Sequence, residues 1–184
     1  MTIRRKVAYL AWVGMVAFAL PIWAATQRAI KLDRLVEKAD VIFIGKAVKQ
    51  ESAWNTEHTR IYTRTTFRVD EYLKGDAGDL LTIETPGGVA EGVGMLVPGV
   101  PVFRLQGKNL IFVTTGRRRG THRVLGWAQG RFRIRRDAIT GREILSRNLR
   151  HVSLVGGKDE TGKSLREIRH LGEMKEAIRS MRKK

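Results

Sequence analysis

The stretch Asp40-Val-Ile-Phe-Ile-Gly-Lys-Ala-Val48 constrains the fold of this chain more than any other feature. Most of its residues are apolar, and β-branched and aromatic side chains of this kind favour extended backbone. A short apolar run that ends at polar residues is typical of a buried strand. We therefore predict that residues 41–48 form the first strand of a small β-barrel, which the later segments close.

The segments after this strand predict further β-structure. Along residues 62–72 the side chains alternate, with Arg64 and Arg68 on one face and Phe67 and Val69 on the other. Further strands are predicted at 80–85, 109–115, 123–127, 130–136 and 143–146. Short strands that are separated by turn signals at intervals of about eight to twelve residues indicate a barrel or a sandwich.

Two amphipathic segments predict helices. Residues 29–39 form a short helix with Leu32, Leu35 and Val36 on one face. A second helix is predicted at Ser164–Arg182, because apolar residues recur there every three or four positions. These apolar residues are Leu165, Ile168, Leu171, Met174, Ile178 and Met181. This helix either packs on the barrel or lies on a membrane surface, and we favour packing.

Together these patterns predict a mainly β fold: a small OB-type β-barrel with a short N-terminal helix and a C-terminal amphipathic helix. The predicted organisation is a signal peptide at 1–25, an OB-type barrel domain at 26–150, and a C-terminal turn and helix at 151–184.

The first residues carry the pattern of a secretory signal. Arg4, Arg5 and Lys6 precede an uncharged run over residues 7–25, and this run ends in the small residues Ala24-Ala25. We therefore expect an exported protein, periplasmic or secreted. The alternative is an uncleaved N-terminal helix that anchors the chain in a membrane, because a run of about 20 apolar residues spans a bilayer.

Three segments together carry a resemblance to a known family: Leu35-Val-Glu-Lys-Ala-Asp-Val-Ile-Phe-Ile-Gly-Lys-Ala-Val48, Phe67-Arg-Val-Asp-Glu-Tyr-Leu-Lys-Gly75 and Gly107-Lys-Asn-Leu-Ile-Phe-Val113. They resemble the barrel of netrin-like modules, which include the tissue inhibitors of metalloproteinases. They are also similar to cysteine-free secreted bacterial proteins of that type. The resemblance implies an exported barrel that binds another macromolecule. Those inhibitors chelate the protease zinc through an N-terminal cysteine, and this chain has no cysteine, so that mechanism does not carry over.

The segment from Pro86 to Gly107 combines glycines and prolines with many apolar residues. A long loop without regular structure is uncommon in a compact domain unless it is functional. Its apolar side chains either plug one end of the barrel or bind a partner, and we predict that they bind a protein partner in the cell envelope. The candidate contact residues are Met95, Leu96, Val97, Val100 and Phe103.

Arginines form the second candidate surface of this basic chain, whose formal charge is +17. Arg131, Arg133 and Arg135 alternate with apolar residues and share one face of a predicted strand. Arg117, Arg118 and Arg119 precede them in a predicted turn. This surface is either a solvated basic face or a site for an anionic polymer or a lipid surface. We consider nucleic acid unfavoured, because aromatic residues are few and an exported protein meets little of it.

The sequence indicates no catalytic, metal or cofactor site. His58, His122, His151 and His170 are scattered, without the spacing of metal ligands. The stretch Gly157–Ser164 matches the P-loop pattern, but too little chain follows it for the parallel strand that bears the magnesium ligand, so we interpret it as a turn. We therefore expect a non-enzymatic binding or accessory module of the bacterial envelope.

If the signal is cleaved, the mature protein begins near Ala25 or Thr26. The intact mass of the exported protein measures this directly. A full-length species embedded in the membrane would contradict cleavage.

Overall fold

The computed structural model of the protein describes residues 25–116, 121–149, 152–155 and 170–182. The strands are β1 Ala25–Arg28, β2 Val41–Trp54, β3 Ile61–Lys74, β4 Leu80–Pro86, β5 Gly88–Ala90, β6 Val93–Met95, β7 Lys108–Thr115, β8 His122–Val124, β9 Arg131–Arg136, β10 Glu143–Ser146 and β11 Val152–Val155. The helices are α1 Leu32–Lys38 and α2 Leu171–Arg182, with a 3-10 turn at Trp127–Gly130.

Five of these strands close a barrel in the order β7-β2-β3-β4-β8, and β8 pairs back to β7. Every neighbouring pair is antiparallel except β4 and β8, which are parallel and joined at the single pair Ile83–His122. The predicted fold class, a mainly β barrel of OB type with one helix near each end of the chain, is confirmed.

Strand β2 lies between two hydrophobic cores. Phe43 and Ala47 point into the barrel, where they meet Phe67 of β3 and Ile111 of β7. Residues of the opposite parity, such as Ile42, belong to a second core outside the barrel. A strand that is buried on both faces reads as a continuous apolar run rather than an alternating one, which explains the composition of residues 41–48.

Both helices cover this outer core. Leu35 of α1 and Met174 of α2 are fully buried there against Ile42 and Phe112. Helix α1 ends where Lys74 Nζ donates hydrogen bonds to the carbonyl oxygens of the last turn, at 2.8 and 3.0 Å. The C-terminal helix thus packs on the barrel, as we favoured over a membrane surface.

Several boundaries differ from the predictions. The prediction of a continuous helix from Ser164 to Arg182 is wrong at His170. That residue forms a β-bridge with Ile144, and α2 begins only at Leu171. Met181, expected on the buried face, is exposed. The predicted strand at 123–127 is the three-residue β8, whose chain then turns into the 3-10 segment.

Some elements were not predicted, and some predictions fall outside the described residues. The parallel pair β1–β11 was not predicted, because it joins segments that lie far apart in the chain. The signal segment before Ala25, the P-loop-like stretch, the arginines at 117–119 and the start of the predicted C-terminal helix lie outside the described residues. Within the part that is described, no helix has the length and apolarity needed to cross a bilayer.

Replacing Gly45 by alanine tests the packing of β2. The added Cβ would lie 2.6 Å from the Arg68 carbonyl oxygen and 3.0 Å from the Phe43 ring. We expect the free energy of unfolding to fall by about 1–3 kcal/mol, as in other overpacked cores. Urea unfolding measures the change, and Gly94→Ala in β6, where the Cβ meets nothing within 4 Å, is the matched control. Equal stability of the two variants would contradict the close packing.

Candidate partner-binding groove

A groove of about 700 Å³ opens at one end of the barrel, beyond the point where β4 and β8 pair. After Ile83 and His122 the two strands no longer pair, and both border the groove. Pro86 and Val124 line it from these strands, Met95 from the end of β6, and Val100 and Trp127 from the segments that follow β6 and β8. Pockets of this size with mostly apolar walls are the usual form of ligand sites.

The loop at residues 86–107 forms one wall of the groove, and its first part is ordered as a hairpin. Strands β5 and β6 pair across a two-residue turn at Glu91-Gly92, and both turn residues have positive φ. The expectation of a loop without regular structure is therefore wrong for residues 88–95. The hairpin docks on β3, where the Thr63 hydroxyl donates a 2.7 Å hydrogen bond to the Gly87 carbonyl.

The loop also supplies a core residue. Phe103 is 4% exposed and meets the Phe67 ring edge-on at 4.9 Å inside the barrel. Its carbonyl accepts a hydrogen bond from Gln50 of β2. Phe103 is therefore a plug and not a surface contact, which corrects its place among the candidate contact residues.

The other four candidate contact residues differ in position: three line the groove, and Leu96 lies beside it in solvent. Met95, Val97 and Val100 line the groove. Leu96 is 87% exposed and borders two smaller cavities, of about 170 and 120 Å³, on the other side of this wall. The structure thus brings three candidates together and places the fourth beside them.

Charged groups at the groove are mainly basic. Arg60 and Arg123 both line it and are exposed. The carboxylate of Glu84, also at the groove, lies 3.3 Å from Nε of Arg64 on β3, which balances its charge. The groove therefore offers an apolar floor beside two arginines that form no ion pair with any described residue.

The tips of the two hairpins beside the groove are in contact. His58, in the turn between β2 and β3, stacks on Trp54 with ring centroids 4.7 Å apart. Its Nε2 lies 3.4 Å from the carboxylate of Glu91, in the turn between β5 and β6. This contact joins the turn that carries Arg60 to the hairpin that carries Met95.

The predicted arginine surface is present on β9, as the alternation indicates. Phe132 and Ile134 are buried in the outer core, and Arg131, Arg133 and Arg135 share the opposite face. Arg104, which the sequence analysis did not include, is close enough to repel Arg131 and Arg133. We call Arg104, Arg131, Arg133 and Arg135 the arginine face.

Arg131 is the most enclosed member of the arginine face. Its Nε donates a 2.8 Å hydrogen bond to Asn109 Oδ1, and its guanidinium lies 5.5 Å from the centre of the Phe103 ring. Burial, followed by repulsion from Arg133, Arg104 and Arg135, lowers the pKa of Arg131 to about 10. Because a lowered pKa disfavours the protonated form of a base, the folded state carries this charge at a cost at every pH below about 10.

Trp127 and Arg60 are groove residues that the sequence analysis did not include among the candidate contacts, and Trp127 is the larger apolar one. It is 41% exposed and follows Gly126, and both residues have positive φ. The sequence signal at Trp127 is the preceding glycine, and both residues fall at the end of the strand predicted at 123–127. The 3-10 turn that holds Trp127 is tied to the loop by a hydrogen bond from the Ala128 amide to the Gly99 carbonyl.

No protein-family model and no curated protein matches this chain. Among the described residues, no three histidine or carboxylate side chains form a group that could hold a metal ion.

Truncating two residues of the loop separates its structural and surface parts. Phe103→Ala should lower the free energy of unfolding by about 3–5 kcal/mol, because it empties a site in the core. Leu96→Ser should change it by less than about 0.5 kcal/mol, because the side chain is in solvent. Denaturant unfolding of both variants gives the comparison. A large loss in Leu96→Ser would mean that the whole loop is a core plug.

Proposed function

We propose that this protein is an exported, non-enzymatic binding module that captures a polypeptide partner in the groove. The observation that carries the proposal is the groove itself: an apolar cleft of about 700 Å³ on a rigid barrel, with a half-exposed tryptophan at its wall. Tryptophan is over-represented among residues that dominate protein interfaces, because it buries a large area at low entropic cost.

The surroundings of the groove support a macromolecular partner. Exposed apolar side chains on the same loop and hairpin extend the apolar surface beyond the groove. They are Val89, Val93, Leu96, Val102 and Leu105. Apolar surface concentrated in one region of a soluble domain marks interaction sites.

The charges at the groove support a particular chemistry of the partner. Arg60 and Arg123 are basic and exposed, whereas the carboxylate of Glu84 is paired. A polypeptide segment with apolar side chains beside an aspartate, a glutamate or a terminal carboxylate complements this arrangement.

The sequence supports export and a netrin-like role. The N-terminal segment has the pattern of a secretory signal. The chain resembles netrin-like modules, and barrels of that type recognise other proteins. Because this chain has no cysteine, it cannot use their zinc-chelating mechanism. The proposed module therefore acts through its groove.

Site-specific photocrosslinking tests the proposal. A photoreactive amino acid at position 127 should give one discrete adduct with a protein partner in cells that export the chain. The same amino acid at position 139 should give none, because Ile139 is 95% exposed but lies in the β9–β10 turn, outside the groove.

Capture of that partner by purified variants measures the contribution of the groove. Met95→Ser combined with Trp127→Ser should weaken capture by at least about tenfold, because truncating a central interface tryptophan costs about 2 kcal/mol or more. Ile139→Ser, which removes an equally apolar exposed side chain, should leave capture unchanged. Undiminished capture by the double variant would refute the groove as the binding site.

A further inference from the structure

The arginine face gathers four positive charges on one side of β9 and the adjoining loop. In the part of the chain that the structure describes, no carboxylate lies within ion-pair distance of any of the four. Some basic residues elsewhere on the barrel are paired, for example Lys108 with Glu143 at 2.8 Å and Arg64 with Glu84 at 3.3 Å. The arginine face differs from single unpaired basic residues because its members are close enough together to repel one another.

The strand register shows why carboxylates are absent from this face. Arg133 lies opposite Asn109 of β7 and Ser146 of β10, and Arg135 lies opposite Ile144. Cross-strand partners share a face, so the neighbours of these arginines are neutral. Glu143, the acidic residue of β10, lies opposite Arg136 on the other face.

Arg131 is held in place before any ligand arrives. Its Nε donates to Asn109, a fully buried side chain, and the Phe103 ring lies beneath its guanidinium. These contacts use one of the five N–H donors of the guanidinium. A half-buried cation normally has an anionic partner, because charge removed from water is costly when it stays uncompensated.

A cavity of about 170 Å³ lies beside Arg131. Its walls are the loop segment 96–102, Ala128 and Asn148, and Arg131 is the only charged side chain among these described lining residues. Arg133 and Arg135 follow Arg131 on the same face of β9, and the Cα atoms of successive arginines are about 7 Å apart. An anion in the cavity would thus meet Arg131 first, with further arginines in line outside.

We propose that the arginine face is a second binding site, which takes a phosphate-type oxyanion at Arg131 and extends along β9 when the anion is part of a chain. Guanidinium groups suit this ligand, because their planar donors match two oxygens of a phosphate at once. Binding also relieves the mutual repulsion of the four arginines. The inference is independent of the groove, which lies on the other side of residues 97–101.

The test uses inorganic phosphate and inorganic polyphosphate as probes, with sodium chloride at the same ionic strength as the reference. The thermal midpoint should rise with the probe relative to chloride, and calorimetric titration should show saturable binding. A rise with inorganic phosphate itself identifies a single-oxyanion site at Arg131. A rise with polyphosphate alone identifies a site for an anionic chain along β9.

Two double variants and one control locate the site. Arg131→Gln with Arg133→Gln should weaken binding by at least about tenfold, whereas Arg136→Gln, on the opposite face of the same strand, should leave it within about twofold. Without a probe, the thermal midpoint of the first variant reports two opposing changes, the removal of like charges and the loss of the Arg131–Asn109 hydrogen bond. If it fails to fold, Arg133→Gln with Arg135→Gln replaces it, since that pair leaves the Arg131–Asn109 contact intact.

Two results would overturn the inference. One is the absence of any midpoint shift with either probe in the wild type. The other is an equal loss of binding in Arg136→Gln, which would mean that the probes respond to the overall charge of the protein and not to a site.

Discussion

The first half of strand β2, residues 41–46, is almost wholly buried on both faces and is paired along both edges, and the remaining elements depend on that arrangement. Its inward side chains need the closed barrel, and its outward side chains need the two helices. A strand in the interior of a domain has no route to water, so each of its backbone groups must be paired within the protein. Strands β3 and β7 provide that pairing. Gly45 fits here because the Arg68 carbonyl and the Phe43 ring leave no room for a side chain.

The loop at residues 86–107 follows from the same constraint. A barrel of five strands closed by one residue pair between β4 and β8 needs a further side chain to fill its interior, and Phe103 fills it. Hydrogen bonds of Gln106 and Gly107 with Ala47 fix that end of the loop, and the β5–β6 hairpin fixes the other. Residues 97–101, between these two fixed ends, therefore separate the groove from the cavity beside Arg131.

The sequence predicted those strands and helices whose burial produces a local pattern of apolar and polar residues. The apolar run at residues 41–48, the alternation of Arg131 to Arg135 and the helical spacing around Met174 each reflect burial of one element against others. It did not predict features that depend on contacts between distant segments. In the sequence, Phe103 and Leu96 are both apolar residues of the loop at 86–107, and no local pattern separates them. Only the fold shows that Phe103 is buried in the barrel and that Leu96 is exposed. The start of α2 after His170 depends on the pairing of His170 with Ile144, and the spacing of apolar residues along the helix does not reveal that pairing.

Residue-resolved amide hydrogen exchange tests most directly the claim that β2 unites the barrel and the helices. The account predicts that the amides of residues 42–44 and 110–112 exchange only by global unfolding, with the free energy that denaturant unfolding gives. The interior amides of α2 should open in the same event, because Met174 shares the outer core with Ile42. Exchange of the β2 amides at a clearly lower free energy, while the rest of the barrel stays protected, would contradict this account.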